Sequence, residues 1–239
     1  MPTYLITGTR RGIGLEYVRQ LSPSAGNTIV AVVRNLNGDI SSLQSIIESP
    51  ETKARIILAQ ADLTKPDSIA SLPSQLPDDL RINTLIQNSG ILREGSRTET
   101  SLTVTTESLI DHFTTNTVGP LLVVQALAPV LAPGAVIANI TSGMGSLGLL
   151  SDGIIPISNP AYAISKTALN MATVQLAKDL TGKAIVVSVD PGHVKTEMGG
   201  PGASMEISDS AASILKTIGG LKEADNGKFL QFDGANEPW

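Results

Sequence analysis

The chain has 239 residues, 41% of them hydrophobic, with no cysteine and a net charge of −5; this is enough for one well-buried core, so residues 1–239 read as a single domain. The missing cysteines exclude disulfides, thiolate catalysis and a sulfur-ligated metal, and the scattered basic residues argue against a nucleic-acid footprint. With no signal-peptide pattern and no long apolar span the expected location is cytoplasmic and away from membranes, while His112 and His193 stand too far apart to suggest a metal site and each reads as a surface or packing residue.

The first apolar run, Tyr4–Thr7, leads into Gly8-Thr9-Arg10-Arg11-Gly12-Ile13-Gly14 and then a helical pattern carrying Val18 and Leu21. Glycines at 8, 12 and 14 permit a tight turn and a close approach of backbone N–H groups to a pyrophosphate on the positive end of the following helix. The alternative is an ordinary glycine-rich turn. A second run, Thr28–Arg34, ends on Arg34, 20 positions beyond Gly14. There an acidic residue commonly holds a ribose 2′-hydroxyl, whereas arginine suits a 2′-phosphate. A guanidinium grips phosphate in a bidentate way, and Arg10 or Arg11 could reach the same group, so the sequence favours NADP(H) over NAD(H). An Arg34 that merely caps a strand in water is the competing reading.

The third run, Arg55–Gln60, precedes Asp62-Leu63, and the fourth, Arg81–Gln87, precedes Asn88-Ser89-Gly90. A long helical stretch follows, with Asn116 four residues before Pro120. Proline has no N–H to bond the carbonyl four positions earlier, so the Asn116 carbonyl is expected to seek another partner, a water being the natural one; a plain kink is the alternative. The fifth run, Ala135–Ile140, passes through Thr141 to Ser142, and the sixth, Ala184–Asp190, to Pro191-Gly192-His193-Val194-Lys195-Thr196. Lys228–Gln231 is the seventh. All are rich in Ile, Val and Leu without polar alternation, as in parallel strands covered on both faces. With helices in most intervals, the expected fold is α/β: a doubly wound parallel Rossmann sheet of about seven strands, helices on both faces, ligands at the carboxyl ends. The segments Gly143–Asn159 and Glu197–Ser208, rich in Gly, Ser and Pro, read as loops walling the pocket. The second is expected to act as a mobile lid carrying Met198, Met205 and Ile207, the competing reading being a rigid surface loop with Met198 in the core.

Between them, Pro160-Ala161-Tyr162-Ala163-Ile164-Ser165-Lys166 sets a phenol and an ammonium four positions apart in a helix-forming run, on one helical face. A free tyrosine, with a pKa near ~10, is a reluctant acid and a poor base at neutral pH, and a nearby cation is expected to lower that value. Tyrosine and lysine on a helix are usually packing and solvation, so this pair gains its meaning from the glycine turn.

Together the two motifs resemble the short-chain dehydrogenase/reductase family, and further matches extend over nearly the whole chain. Gln87-Asn88-Ser89-Gly90 stands where that family usually has Asn-Asn-Ala-Gly, and Gly227-Lys228-Phe229-Leu230-Gln231-Phe232-Asp233-Gly234 with Pro238-Trp239 is similar to its compact branch of norsolorinic acid ketoreductase and the C-signal proteins. The resemblance implies catalysis by Tyr162, Lys166, Ser142 and Asn116: Tyr162 protonates a carbonyl oxygen that Ser142 orients, Lys166 lowers the phenol's pKa and holds ribose hydroxyls, and Asn116 carries a water relay. It also implies an NADP(H) site formed by Gly8, Arg10, Arg11, Gly12, Ile13, Gly14, Arg34, Asp62, Leu63, Asn88, Gly90, Tyr162, Lys166, Pro191, Gly192, Val194 and Thr196, with no metal. The activity implied is reduction of a ketone or aldehyde, of a polyketide-like kind in this branch. The apolar residues Leu147, Leu149, Leu150, Ile154, Ile155 and Ile157 suggest an apolar or aromatic substrate, or else a loop buried at a subunit interface. Where the chain oligomerises, the resemblance implies a homodimer or homotetramer through the long fourth and fifth helices. A protein that binds NADP(H) as a regulator or non-redox catalyst is the alternative, against which the intact set of four catalytic residues speaks.

Overall fold

The computed structural model describes residues 1–155 and 159–239. Its strands are β1 (Thr3–Thr7), β2 (Thr28–Val33), β3 (Arg55–Gln60), β4 (Ile82–Gln87), β5 (Leu131–Ile140), β6 (Ala184–Asp190) and β7 (Phe229–Gln231). They form one parallel sheet in the order β3-β2-β1-β4-β5-β6-β7. The expected doubly wound α/β fold is present, and the expected strands lie within a few residues of their places.

The apolar runs work because both sheet faces are covered. Successive side chains of a strand point to opposite faces, so Leu5, Val30, Ile137 and Val186 enter one core and Ile6, Ile29, Ala138 and Val187 the other. The first core is closed by α5 (Gly119–Leu127) and α7 (Pro160–Asp179) through Val123, Val124, Leu127, Leu176 and Ala177. The second is closed by α1 (Gly12–Leu21), α2 (Ser41–Ile47) and α8 (Ile207–Gly219) through Tyr17, Val18, Leu43, Ala211 and Ile214. Each such large apolar side chain contributes about 1.5–3 kcal/mol on full burial. Short helices α3 (Pro66–Ala70), α4 (Thr106–Phe113) and α6 (Leu147–Ser151) complete the described elements.

Three local expectations are corrected. Gly143–Asn159 contains a 3-10 turn, Gly143–Gly145, and then α6, which Ser146 caps by accepting the Leu149 N–H at 3.0 Å; hydroxyl capping starts a helix in a segment whose glycines argued against one. Ile157 of that segment lies outside the described residues. The last two residues of Glu197–Ser208 already belong to α8. Finally, α4 and α5 are joined by a π-helical turn, Thr114–Val118, in which the Gly119 N–H reaches Thr114 O. Widening the turn is how the helix passes Pro120. The joined run Thr106–Val130 is 25 residues long, long and apolar enough to cross a membrane by length and composition alone. The sequence reading saw no such span; Val123, Val124 and Leu127 account for its apolar character as core residues.

Candidate active site

Strand order reverses between β1 and β4, opening a crevice at their carboxyl ends, where sheets of this kind bind ligands. Thr7 closes β1 and ties the two strands together. Its Oγ1 accepts the N–H groups of Asn88 and Ser89, both at 3.1 Å, and its carbonyl accepts Asn88 Nδ2 at 3.2 Å. Gly8 has φ +76°, and Gly14 lies so close to it that a Cβ on Gly14 would stand 2.3 Å from Gly8 O. Only glycine fits there. Helix α1 begins at Gly12 with no side-chain cap and no acidic residue in its first turn, so its first N–H groups face the turn without a side-chain acceptor, an arrangement suited to a phosphate.

Around this turn stand the expected basic residues. Arg10 and Arg34 are exposed, Arg10 near Asp39 and Arg34 near Asp62. Burial works against the Asp62 carboxylate, yet hydrogen bonds from Thr64 and the charges of Lys65 and Arg34 hold it below its ordinary range. Arg11 pairs instead with Glu197. The Leu63 side chain is core, crowding Gly119. Ile13 is half-buried against the second core, and a Cβ on Gly90 would meet Asn116 Oδ1 at 3.2 Å and Lys166 Nζ at 3.5 Å. Gln87 packs beneath, donating to Pro120 O at 3.0 Å and Asn139 Oδ1 at 2.9 Å. Pro191 accepts from Ser210, Gly192 has φ +79°, Val194 is buried, and the methyl of Thr196 faces the position a Gly12 Cβ would take.

The four expected catalytic residues come together from three elements. Tyr162 and Lys166 are both buried on α7, with the ammonium 5.7 Å from the phenol ring centroid. Lys166 Nζ donates to Ile140 O at 2.8 Å. Ser142 follows β5; its Oγ accepts the Met144 N–H at 3.2 Å, and the hydroxyl lies near enough to the Tyr162 phenol to favour its ionised form. The turn after it is pinned to α7, because Thr167 and Asn170 both donate to Gly145 O. Asn116, on the π turn, donates to Ser165 Oγ at 3.0 Å and brackets Ile91 by accepting its N–H and donating to its carbonyl.

The electrostatics differ from expectation. Burial pushes the Tyr162 phenol above its ordinary range, the Asp190 carboxylate pushes the same way, and the nearby Ser142 hydroxyl opposes both. Burial also lowers the Lys166 ammonium to about 8, against the attraction of Asp190. The lysine therefore does not make this phenol acidic: removing a charge-bearing group from water outweighs its Coulomb contribution. Tyr162 is a neutral phenol at physiological pH, a form with a proton to give.

Sequence reasoning missed Asp190. Its carboxylate accepts the Gly192 N–H at 3.2 Å and lies against Gly143, so it stands between the exits of β6 and β5, and burial raises its own pKa. The available signal was an acidic residue ending an otherwise apolar strand, immediately before Pro191-Gly192.

Comparison with known proteins agrees with this geometry. The family model for short chain dehydrogenase matches residues 2–206. An oxidoreductase of Saccharomyces cerevisiae is 31% identical over 98% of this chain and 96% of its own length, and the C-signal protein of Myxococcus xanthus is 42% identical over 53% of this chain and 76% of its own. Among solved structures, NADPH-bound carbonyl reductase from chicken fatty liver superposes with a TM-score of 0.88 at 30% identity, covering 100% of this chain and 94% of that one. Carbonyl reductase Sniffer of D. melanogaster gives 0.87 at 31% identity, covering both chains fully. With the fold, the glycine turn and the family match in agreement, the chain belongs to the short-chain dehydrogenase/reductase family of nicotinamide-dependent oxidoreductases.

Proposed function

We propose that residues 1–239 form one NADP(H)-binding domain that reduces a ketone or aldehyde to an alcohol with NADPH. What supports this most is the buried, neutral Tyr162 phenol, close to the Ser142 hydroxyl and to Lys166, whose ammonium stands 5.7 Å from the phenol ring and beside Gly90. The NADPH-bound carbonyl reductase of chicken liver, similar over the whole chain, points the same way. Gly8, Gly12, Gly14 and the α1 N-terminus suit the pyrophosphate; Arg10 and Arg34, both exposed, suit the 2′-phosphate. Arg11 can join them by leaving Glu197.

A bound nicotinamide supplies the hydride. The chain's residues do the rest: Ser142, whose Oγ already accepts from Met144 and so keeps its own proton for donation, orients a carbonyl oxygen. Tyr162 donates the proton that oxygen needs, the Lys166 charge steadies the phenolate left behind until solvent returns its proton, and the same ammonium holds ribose hydroxyls. The side chains of Leu149 and Ile155, which pack against Gly143 next to Ser142, favour an apolar or aromatic carbonyl compound. Oxidation of NADPH in the presence of 9,10-phenanthrenequinone or 4-nitrobenzaldehyde tests the proposal. Turnover with NADPH exceeding that with NADH supports it; tight NADPH binding with no turnover across a broad panel of carbonyls would favour a regulator or non-redox catalyst instead.

A further inference from the structure

His112 is completely buried on α4, one helical turn before Asn116, and no role is attached to it above. Three contacts surround its ring. Nδ1 lies 2.7 Å from Ser108 O, Nε2 lies 3.3 Å from the Arg93 backbone nitrogen, and the ring stands edge-on to Tyr162 with centroids 6.4 Å apart and planes at 86°. The first two contacts fix the tautomer. A carbonyl oxygen only accepts, so Nδ1 carries the proton; a backbone N–H only donates, so Nε2 offers its lone pair. The ring is therefore the neutral Nδ1–H imidazole, with both nitrogens committed. The third contact has the T-shaped geometry that aromatic pairs prefer.

Those contacts join two parts of the site. The segment Ile91–Arg93 leaves β4 beside Gly90 and walls the crevice. Asn116 holds it at Ile91 and His112 holds it at Arg93, while the Arg93 side chain pairs with Asp111 next to His112. Asn116 also reaches Ser165, which donates to Tyr162 O, so the same helix that holds the wall holds the backbone of the proton donor. We propose that His112 is a positioning residue, whose ring edge sets the plane of the Tyr162 phenol and whose Nε2 anchors the substrate-side wall at Arg93. The two tasks use different parts of one side chain and are separable.

The test rests on the carbonyl reductase reading and uses a complementary pair of variants. His112→Phe keeps an aromatic edge and loses the acceptor; His112→Gln keeps an acceptor at the ε position and loses the ring. With 9,10-phenanthrenequinone and NADPH, His112→Phe is expected to raise KM about 5-fold or more with kcat within about 2-fold, and His112→Gln to lower kcat about 10-fold with the smaller change in KM, the scale of a misoriented reacting group. NADPH affinity should stay the same in both. Changes confined to thermal stability, with kcat and KM unmoved, would overturn the proposal and leave a packing residue.

Two spectra of the wild-type protein keep the proposal open to refutation if a variant fails to fold or the probe is not turned over. Imidazole ¹⁵N resonances should show one of the two histidines as the Nδ1–H tautomer at neutral pH; an Nε2–H or doubly protonated buried ring would overturn the assignment. Ring resonances of the three tyrosines should show Tyr162 restrained, with slow flipping on the NMR timescale. A fast-flipping Tyr162 ring would show that His112 does not set its plane. Failure of the reductase reading alone, with no carbonyl reduced, would leave both spectra as stated here.

Discussion

Lys166 Nζ stands 5.7 Å from the centroid of the Tyr162 ring and donates its hydrogen bond to the Ile140 carbonyl. The two groups thus act on each other through space, and burial governs both in opposite senses. It raises the pKa of the acid, which is neutral when protonated, and lowers that of the amine, which is charged.

The pH dependence follows from those signs. Lys166 is lowered from its ordinary value to about 8, so in the folded protein its charge is present below about pH 8 and lost above, while the raised Tyr162 phenol keeps its proton through the same window. Carbonyl reduction is expected to fall as pH rises through about 8, and Lys166→Met is expected to be slow at every pH without that break. Asp190→Asn removes a carboxylate that raises both groups, so the break should move to lower pH. Steady-state rates from pH 6 to 10 check it; a break unchanged by Asp190→Asn would contradict the assignment.

Stability carries the same signature. A lysine whose folded pKa is depressed costs stability most where it is charged in both states, below the folded pKa, and the cost fades between the folded and unfolded values. Lys166→Met should therefore raise thermal stability more at pH 7 than at pH 10, as melting curves at the two values will show.

On the proposed reading, Arg34 holds the 2′-phosphate and sets the choice of cofactor. Replacing it with Asp exchanges a bidentate cation for a hydroxyl acceptor, and NADPH affinity is expected to fall by about 10-fold or more, the scale of a hydrogen bond to a charged group, while NADH binding improves. Titrating both nucleotides against quenching of intrinsic fluorescence measures it. Equal or tighter NADH binding by the wild-type protein would contradict the role of Arg34.

The segment Glu197–Glu206 is expected to close as a lid. Its ends are tied, Lys195 N–H to Met205 O and Met205 N–H to His193 O, and Arg97 reaches across the crevice to Met198 O at 2.9 Å. Met198 is exposed, so the segment is not anchored by a core side chain. Hydrogen exchange over residues 197–206 should slow on adding NADPH; identical protection with and without it would exclude a coupled lid.

The frame was legible because its signals are redundant. Runs such as Ala184–Asp190, apolar at nearly every position, fit only strands covered on both faces, and Gly14 admits no side chain beside Gly8. Tyr162 and Lys166 share a helix, so their spacing alone places them together. What escaped depends on contacts remote in sequence. α6 forms because Ser146 caps it, the π turn answers to the packing of α4, α5 and α7, and Asp190 and His112 gain meaning only when β6 and α4 are brought against α7. The sign of the Tyr162 shift was unreadable for the same reason, since burial is a property of the assembled core.

The central claim, that Tyr162 gives the proton in an NADPH-dependent carbonyl reduction, is tested most directly by Tyr162→Phe. This change removes the hydroxyl and leaves the ring packed edge-on against His112. NADPH binding should persist while turnover of 9,10-phenanthrenequinone, measured as NADPH oxidation, falls by about 10²-fold or more, the scale of general acid catalysis. Turnover close to that of the wild-type protein would contradict the account and require another acid in the crevice.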